Sequence, residues 1–422
     1  MTASAQKAGV LRFPPQFLWG TATSPTQVEG HVQNEWTGHV ARDGQTCHPA
    51  CDSYHRYPED IEWMARLGVK GYRMGIEWSR LQDGPFAALN PVELDRYIDQ
   101  LDRLKAAGIE PMVVLHHFSN PKWIIDNGGW RNRATVSAFV DYATRLATAL
   151  RSRVRFWNTF NEPDTYASCS YLIGVFPPEK KWRFGAYCRV IGHMAAAHEQ
   201  VCRAIRQGGA VTGPVEVGFS KNWTSFEAYH GWAPWDRAIA ALSHGFFNRL
   251  VLRSFMGGRR RKAATFLGVN YYGRVRYRHT QPLIPTFGFN HEQLKALGVH
   301  CDDMFERHAA GMEPALLELQ RQYHLPIYVT EHGSASTDEA FRERDLNENL
   351  RALHGAMERG ADVRGFFYWS LLDNFEWQFG YAKKFGLIGV DFADARLPRT
   401  MKPLGEIYGR IIRENGIAAP VS

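Results

Sequence analysis

Residues Pro326 to Ser370 read PIYVTEHGSASTDEAFRERDLNENLRALHGAMERGADVRGFFYWS. The opening Pro326–Thr330 is a continuous apolar run that ends at Glu331-His332-Gly333. A strand with one wet face would alternate; an unbroken run predicts a strand covered on both faces. Ala340–Arg359 carries an amphipathic helical pattern and stops at Gly360. Val363–Ser370 is again continuous and apolar. Strand, helix and second buried strand make a parallel crossover unit.

The same rhythm extends outward in both directions. Candidate strands are Phe17–Thr23, Gly71–Ile76, Pro111–Phe118, Arg155–Phe160, Val215–Ser220 and Phe266–Tyr271, besides the two above. Helical stretches between them include Pro91–Ala107, Arg133–Arg151, Phe184–Gln207, Pro234–Met256 and, at the end, Met401–Glu414. Eight strands alternating with helices fit an open doubly wound sheet or a closed (β/α)8 TIM barrel. The open nucleotide-binding folds carry a glycine-rich phosphate loop after the first strand, GxGxxG or GxxxxGKS, and neither stands here. The α/β pattern therefore reads as a single (β/α)8 barrel domain over residues 1–422. In such barrels the chemistry sits at the C-terminal ends of the strands.

Composition removes other classes. Of 422 residues 45% are hydrophobic and 22% charged, the balance of a globular chain rather than a disordered one. No stretch approaches about 18 uninterrupted apolar residues, so no membrane span is expected. The start MTASAQKAGVLRF lacks an apolar leader, which predicts a cytoplasmic protein. The net charge of +7 is spread along the chain among 43 acids, so no nucleic-acid partner is expected. The one dense run, Arg259-Arg260-Arg261-Lys262, reads as a solvated loop or helix end. Six cysteines include no CxxC pair, and Cys47-His48-Pro49-Ala50-Cys51 is at most half a metal site with no second half in sequence. Neither metal nor organic cofactor is expected. The 13 Trp, 17 Tyr and 25 Phe suit the flat faces of sugars, though a large core uses aromatics too.

Two strands end in a carboxylate. The fourth reads Arg155-Phe-Trp-Asn-Thr-Phe-Asn161-Glu162-Pro163 and the seventh Pro326-Ile-Tyr-Val-Thr330-Glu331. Each alone reads as a loop acid. At equivalent ends of one barrel they converge on one mouth, and paired carboxylates are what glycoside hydrolysis uses.

Thr159-Phe-Asn-Glu-Pro163 and Thr330-Glu-His-Gly333 resemble the acid/base and nucleophile motifs of glycoside hydrolase family 1, the β-glucosidase and β-glycosidase family. The resemblance runs from Phe17-Leu-Trp-Gly-Thr-Ala-Thr-Ser24 through Cys51-Asp-Ser-Tyr-His-Arg-Tyr57, Tyr72-Arg-Met-Gly-Ile-Glu-Trp-Ser-Arg80, Leu115-His-His-Phe118 and Phe266–Tyr272. It closes with Trp369-Ser-Leu-Leu-Asp-Asn-Phe-Glu-Trp377 and Gly380-Tyr-Ala-Lys-Lys-Phe-Gly386. It implies a retaining β-glycosidase in which Glu331 attacks and Glu162 serves as acid and then base, with the carboxyls about 5 Å apart.

The family's sugar-binding residues fall on Gln27, His117, Asn161, Glu376 and Trp377, with Trp369 as platform and Phe118 and Phe385 as wall. Tyr272 resembles the tyrosine that hydrogen-bonds the nucleophile, and Arg73 is a natural cation to keep Glu331 ionised. Relatives acting on 6-phosphorylated sugars replace the carboxylate at the Glu376 position with a small residue. Its presence here implies unphosphorylated β-glucosides, galactosides or fucosides, and short oligosaccharides, as the small-molecule partners. A mainly transglycosylating enzyme and a non-catalytic sugar-binding barrel are the alternatives. Three departures stand out: His332 where the family usually has Asn, Ser53 for a frequent His, and a short stretch over roughly Lys221–Ala264 that suggests an open entrance on the aglycone side.

Overall fold

The computed structural model describes residues 9–208, 214–257, 263–278, 299 and 301–419. The basic run Arg259–Lys262 lies outside the described residues.

Eight parallel strands close into a barrel in chain order: β1 Leu18–Ala22, β2 Gly71–Gly75, β3 Glu110–Val114, β4 Phe156–Asn161, β5 Glu216–Asn222, β6 Leu267–Asn270, β7 Ile327–His332 and β8 Val363–Trp369. Closure runs through β8 to β1, where Gly365 pairs with Leu18 and Trp369 with Ala22. All eight expected strands are present, shifted at most by a few residues at their ends. The ring around them includes α1 Ser53–Leu67, α2 Pro91–Ala106, α3 Ala134–Leu150, α4 Phe184–Gly208, α5 Pro234–Ser243, α6 Met312–Tyr323, α7 Glu339–Glu358 and α8 Pro403–Glu414.

Local chemistry sets several boundaries. The Asn90 side chain accepts from the amides of Val92 and Glu93 while Pro91 takes the first helical position, so α2 starts there. Asp338 caps α7 through the Phe341 amide. The expected helix Pro234–Met256 is a composite: α5, a wider turn over His244–Leu250, and a last helical piece Val251–Met256.

The strands are covered on both faces, as their continuous apolar runs require. Outside, Phe160 packs with Phe139 and Phe255 beneath α3 and the Val251–Met256 helix. Inside, Phe156, Phe266, Tyr328 and Phe367 fill the barrel, with Phe156 and Tyr328 ring centroids 5.5 Å apart. At the C-terminal mouth Gly333 lies so close to β8 that a Cβ there would overlap the carbonyl oxygen of Trp369. Gly333→Ala should therefore push β7 away from Trp369 at an overpacking cost of about 1–3 kcal/mol. Denaturant unfolding that leaves the variant as stable as the parent would show that the mouth yields freely.

Candidate active site

Strict alternation along β4 and β7 would not build this site; two irregularities do. In β7 the pairing register shifts between Val329 and Glu331 on one side and between Val329 and His332 on the other. Thr330 and Glu331 consequently both reach inward. Thr330 Oγ1 donates to Asn270 Oδ1 at 2.7 Å, and Glu331 meets Arg73. In β4 the shift falls between Asn158 and Asn161, so Phe160 faces the helices while Asn161 turns in. Bulges of this kind re-aim side chains at barrel rims. Glu162 follows in a left-handed conformation at φ 38°, held by its amide on Ser220 O at 2.9 Å and by Pro163 starting the next helix. A non-glycine residue in that region is strained, a recurrent feature of functional positions.

The two carboxyls are buried in unlike surroundings. Glu331 Oε1 accepts from Arg73 Nη1 at 2.6 Å, and its Oε2 accepts from the Tyr272 hydroxyl at 2.7 Å. Burial raises the Glu331 pKa, and Arg73 and Tyr272 oppose the rise. Glu162 Oε1 accepts from Asn270 Nδ2 at 2.7 Å. Burial, then the charges of Glu331 and Asp164, push Glu162 up to about 8, with Asn270 and Thr165 pulling only weakly the other way. When the pair holds a single proton, it resides on Glu162.

Arg73 also fixes the sugar-side polar groups. Its Nη2 donates to Asn161 Oδ1 at 2.6 Å, and Asn270 Nδ2 donates to the same oxygen at 3.0 Å. With two donors on its oxygen, Asn161 must turn Nδ2 toward His117 Nε2, 2.9 Å away. That leaves the His117 proton on Nδ1, buried without a protein partner and ready to donate. Burial and Arg73 hold the His117 pKa far below the usual value, so the ring is neutral.

His117, Phe118, Asn161, Glu162, Tyr272, Glu331, Trp369, Glu376, Trp377 and Phe385 line one pocket. The His117 ring stacks near parallel to Trp369 and Trp377, at 5.7 and 6.1 Å. Gln27 and Arg73 sit one layer behind this wall. Gln27 Nε2 donates to Glu376 Oε2 at 3.1 Å and to Phe375 O at 2.9 Å, and its oxygen accepts from Ser24. Gln27 thus holds Glu376. Burial and Glu331 raise Glu376 to about 8, with Gln27 and Trp369 opposing.

Asn270, which touches Glu162, Asn161 and Thr330, was not singled out from the sequence, although it lies inside the quoted Phe266–Tyr272 stretch. Thr165, Cys169, Phe176, Asn222, Met304, Phe305 and Gln378 also line the pocket, and Phe305 stacks on Tyr272 at 4.9 Å. Only their proximity in space marks them. His332 closes the seam between β6 and β7: Tyr271 N donates to Glu331 O at 3.0 Å, and His332 Nδ1 donates to Tyr271 O at 2.7 Å. A roomier hollow at the opposite barrel end, lined by Phe17, Glu110, Arg155, Tyr328 and Arg364, contains neither strand-end carboxyl.

A closed parallel barrel with two unequal carboxyls at its C-terminal mouth, beside stacked aromatics, defines a glycoside hydrolase. The chain belongs to glycosyl hydrolase family 1, whose profile matches residues 10–241 and 257–417. Thermostable beta-glucosidase B of Thermobispora bispora is 33% identical over 98% of this chain and 93% of its own. Among solved structures, the β-glucosidase of Thermotoga maritima in complex with deoxynojirimycin superposes with a TM-score of 0.86 at 27% identity, covering 97% of this chain and all of that one. A β-glycosidase from Pyrococcus horikoshii gives 0.83 at 30% identity, over 97% and 96% of the two chains.

Because Glu331 carries the charge that helps raise Glu162, Glu331→Gln should lower the Glu162 pKa from about 8. Carbon-13 titration of the glutamate carboxyls reads this directly. A Glu162 resonance titrating at the same pH in both proteins would mean the two groups are not coupled.

Proposed function

We propose that the protein is a retaining β-glycosidase of unphosphorylated β-glucosides and related β-galactosides and β-fucosides, with Glu331 as nucleophile and Glu162 as acid/base. The observation that carries the roles is the asymmetry of the pair: Arg73 and Tyr272 hold Glu331, while among the described residues Glu162 has no cation hydrogen-bonded to its carboxyl and keeps the proton. Glu331 attacks the anomeric carbon, the glycosidic C–O bond breaks, and Glu162 delivers its proton to the departing oxygen. With Glu331 esterified its charge is gone, the Glu162 pKa falls, and Glu162 can take a proton from the water that releases the sugar. The chemistry needs no metal and no organic cofactor.

His117 Nδ1–H, the Glu376 carboxyl and the Trp377 indole N–H are directional groups for ring hydroxyls, and Trp369 offers a flat face to the ring's C–H side. Gln27 joins this sugar-binding set and also donates its amide to Glu376. At a pKa of about 8 the Glu376 carboxyl holds its proton through much of the neutral range, so it can donate as well as accept. A phosphate dianion there would meet the Glu331 charge and would oppose any ionisation of Glu376. The whole chain is read as one catalytic domain. Cys47, Cys51, Cys169, Cys188 and Cys202 form no disulfide among the described residues, which supports a reducing, cytoplasmic setting; no described helix is long and apolar enough to cross a membrane.

A 2-deoxy-2-fluoro glycoside tests the nucleophile. Label should accumulate on Glu331 alone, as read by peptide mapping; label on another residue, or none in an active enzyme, overturns the assignment. The sugar-facing role of Glu376 is tested by Glu376→Ser. The substitution should cost about 0.5–1.5 kcal/mol of transition-state stabilisation on glucosides for each hydroxyl hydrogen bond lost. An unchanged kcat/KM would place Glu376 away from the reacting sugar.

A further inference from the structure

The Cys47–Cys51 stretch looked in sequence like half a metal site. The structure turns its cysteines away and puts its histidine and the following acid to other use. Cys47 Sγ donates to Trp36 O and Cys51 Sγ to Asp373 O, and burial pushes the Cys47 thiol up to about 11, so neither sulfur is a ready ligand. Asp52 and His55, at the start of α1, instead meet His31 from the loop that follows β1. We propose that His31, Asp52 and His55 form a binding site for a divalent ion of the zinc type, outside the sugar pocket and separate from the hydrolytic chemistry.

His31 Nε2, Asp52 Oδ1 and His55 Nδ1 all lie within 4.8 Å of one another. The His31 Nε2–Asp52 Oδ1 distance is 3.3 Å. Two ligands at about 2.0–2.2 Å on a tetrahedral zinc ion stand about that far apart. His55 Nδ1 and Asp52 Oδ1 are hydrogen-bonded at 2.6 Å, so the ion would displace the imidazole proton to solvent and open that pair slightly. Asp52 is the residue before the first turn of α1, yet its side chain caps no helix amide; it is given over to the two imidazoles.

The third histidine sets the geometry. His48 Nδ1 accepts from the His31 backbone amide at 3.1 Å, and its ring packs edge-on against the His31 ring at 4.5 Å. His55 also packs edge-on against the His31 ring, at 5.1 Å. His31 is thereby held with Nε2 toward Asp52. Arg80 reaches the carbonyls of Gly30 and His31 but is paired with Glu29 at 2.8 Å, and Arg56 beside His55 is paired with Glu59 at 2.6 Å, so both charges are already matched. Two imidazoles and one carboxylate select a borderline transition ion over calcium or magnesium, which prefer all-oxygen sets. The half-exposed rims of His31 and His55 leave the fourth position to water.

The test is calorimetric titration of the untagged full-length chain with zinc chloride near neutral pH. The expected result is saturable uptake of one ion per chain, with affinity reduced about tenfold or more in His31→Ala and again in His55→Ala. Cobalt should give the intense visible bands of a tetrahedral site in the parent and lose them in both variants. Unchanged glycoside hydrolysis in the variants shows that they fold. Wild-type uptake in the His31→Ala/His55→Ala double variant, no saturable uptake by the parent, or magnesium binding as tightly as zinc would each overturn the proposal.

Discussion

One buried cation organises the mouth of this barrel. Arg73 stands on β2 with its guanidinium fully enclosed, and its nitrogens reach Glu331 on β7, Asn161 on β4 and Ser220 on β5. Four strands, of which only β4 and β5 are neighbours in the ring, are thus tied at a single point. The planar, fixed fork of donors makes this feasible in a way a lysine could not. Breaking such a pair by removing one partner leaves an uncompensated buried charge, a loss of about 3–5 kcal/mol. The orientation of Asn161, the tautomer of His117 and the placement of the shared proton all follow from where that guanidinium points.

Behind the acid side lies a second enclosed pair. Lys221 on β5 donates to Asp164 Oδ2 at 2.8 Å, two residues beyond Glu162. Asp164 helps raise Glu162, and Lys221 tempers that effect by neutralising Asp164. The acid side therefore owes its proton affinity to enclosure and neighbouring anions, and the nucleophile side has a cation in direct contact. Two chemically identical carboxyls become different reagents through what stands within a few ångströms of each.

The barrel was legible in sequence because its signal is redundant. Runs such as Pro326–Thr330 and Val363–Ser370 read as strands buried on both faces, and their alternation with helices left few topologies. Both strand-end glutamates were legible for the same reason: a carboxyl has no place at the end of such a run unless chemistry wants it there. What sequence could not display were the bulges in β4 and β7, which a period-two reading assigns to the wrong face from Phe160 and Glu331 onward. Asn270 escaped because a single amide beside two tyrosines carries no pattern. Gln27 was matched by motif to the sugar, and the fold adds that its amide holds Glu376; motifs record which residues occur together and not which of them hold one another. His332 takes the role of a seam between β6 and β7, a hydrogen bond that only the folded geometry specifies.

The enclosed carboxyls also couple this fold to its solvent. Glu162 and Glu376 each hold protons up to about pH 8 when folded, whereas in an unfolded chain both would release them near the ordinary glutamate value of 4.5. Between those limits the folded state binds more protons than the unfolded one, so folding draws hydrogen ions from the medium. By linkage, that part of the stability is complete only below the lower value and drains away as pH climbs toward the upper one. Enclosing these two carboxyls is thus a burden that grows with alkalinity. An acidic medium lightens it, and so does any ligand whose hydroxyls or positive charge satisfy the same oxygens.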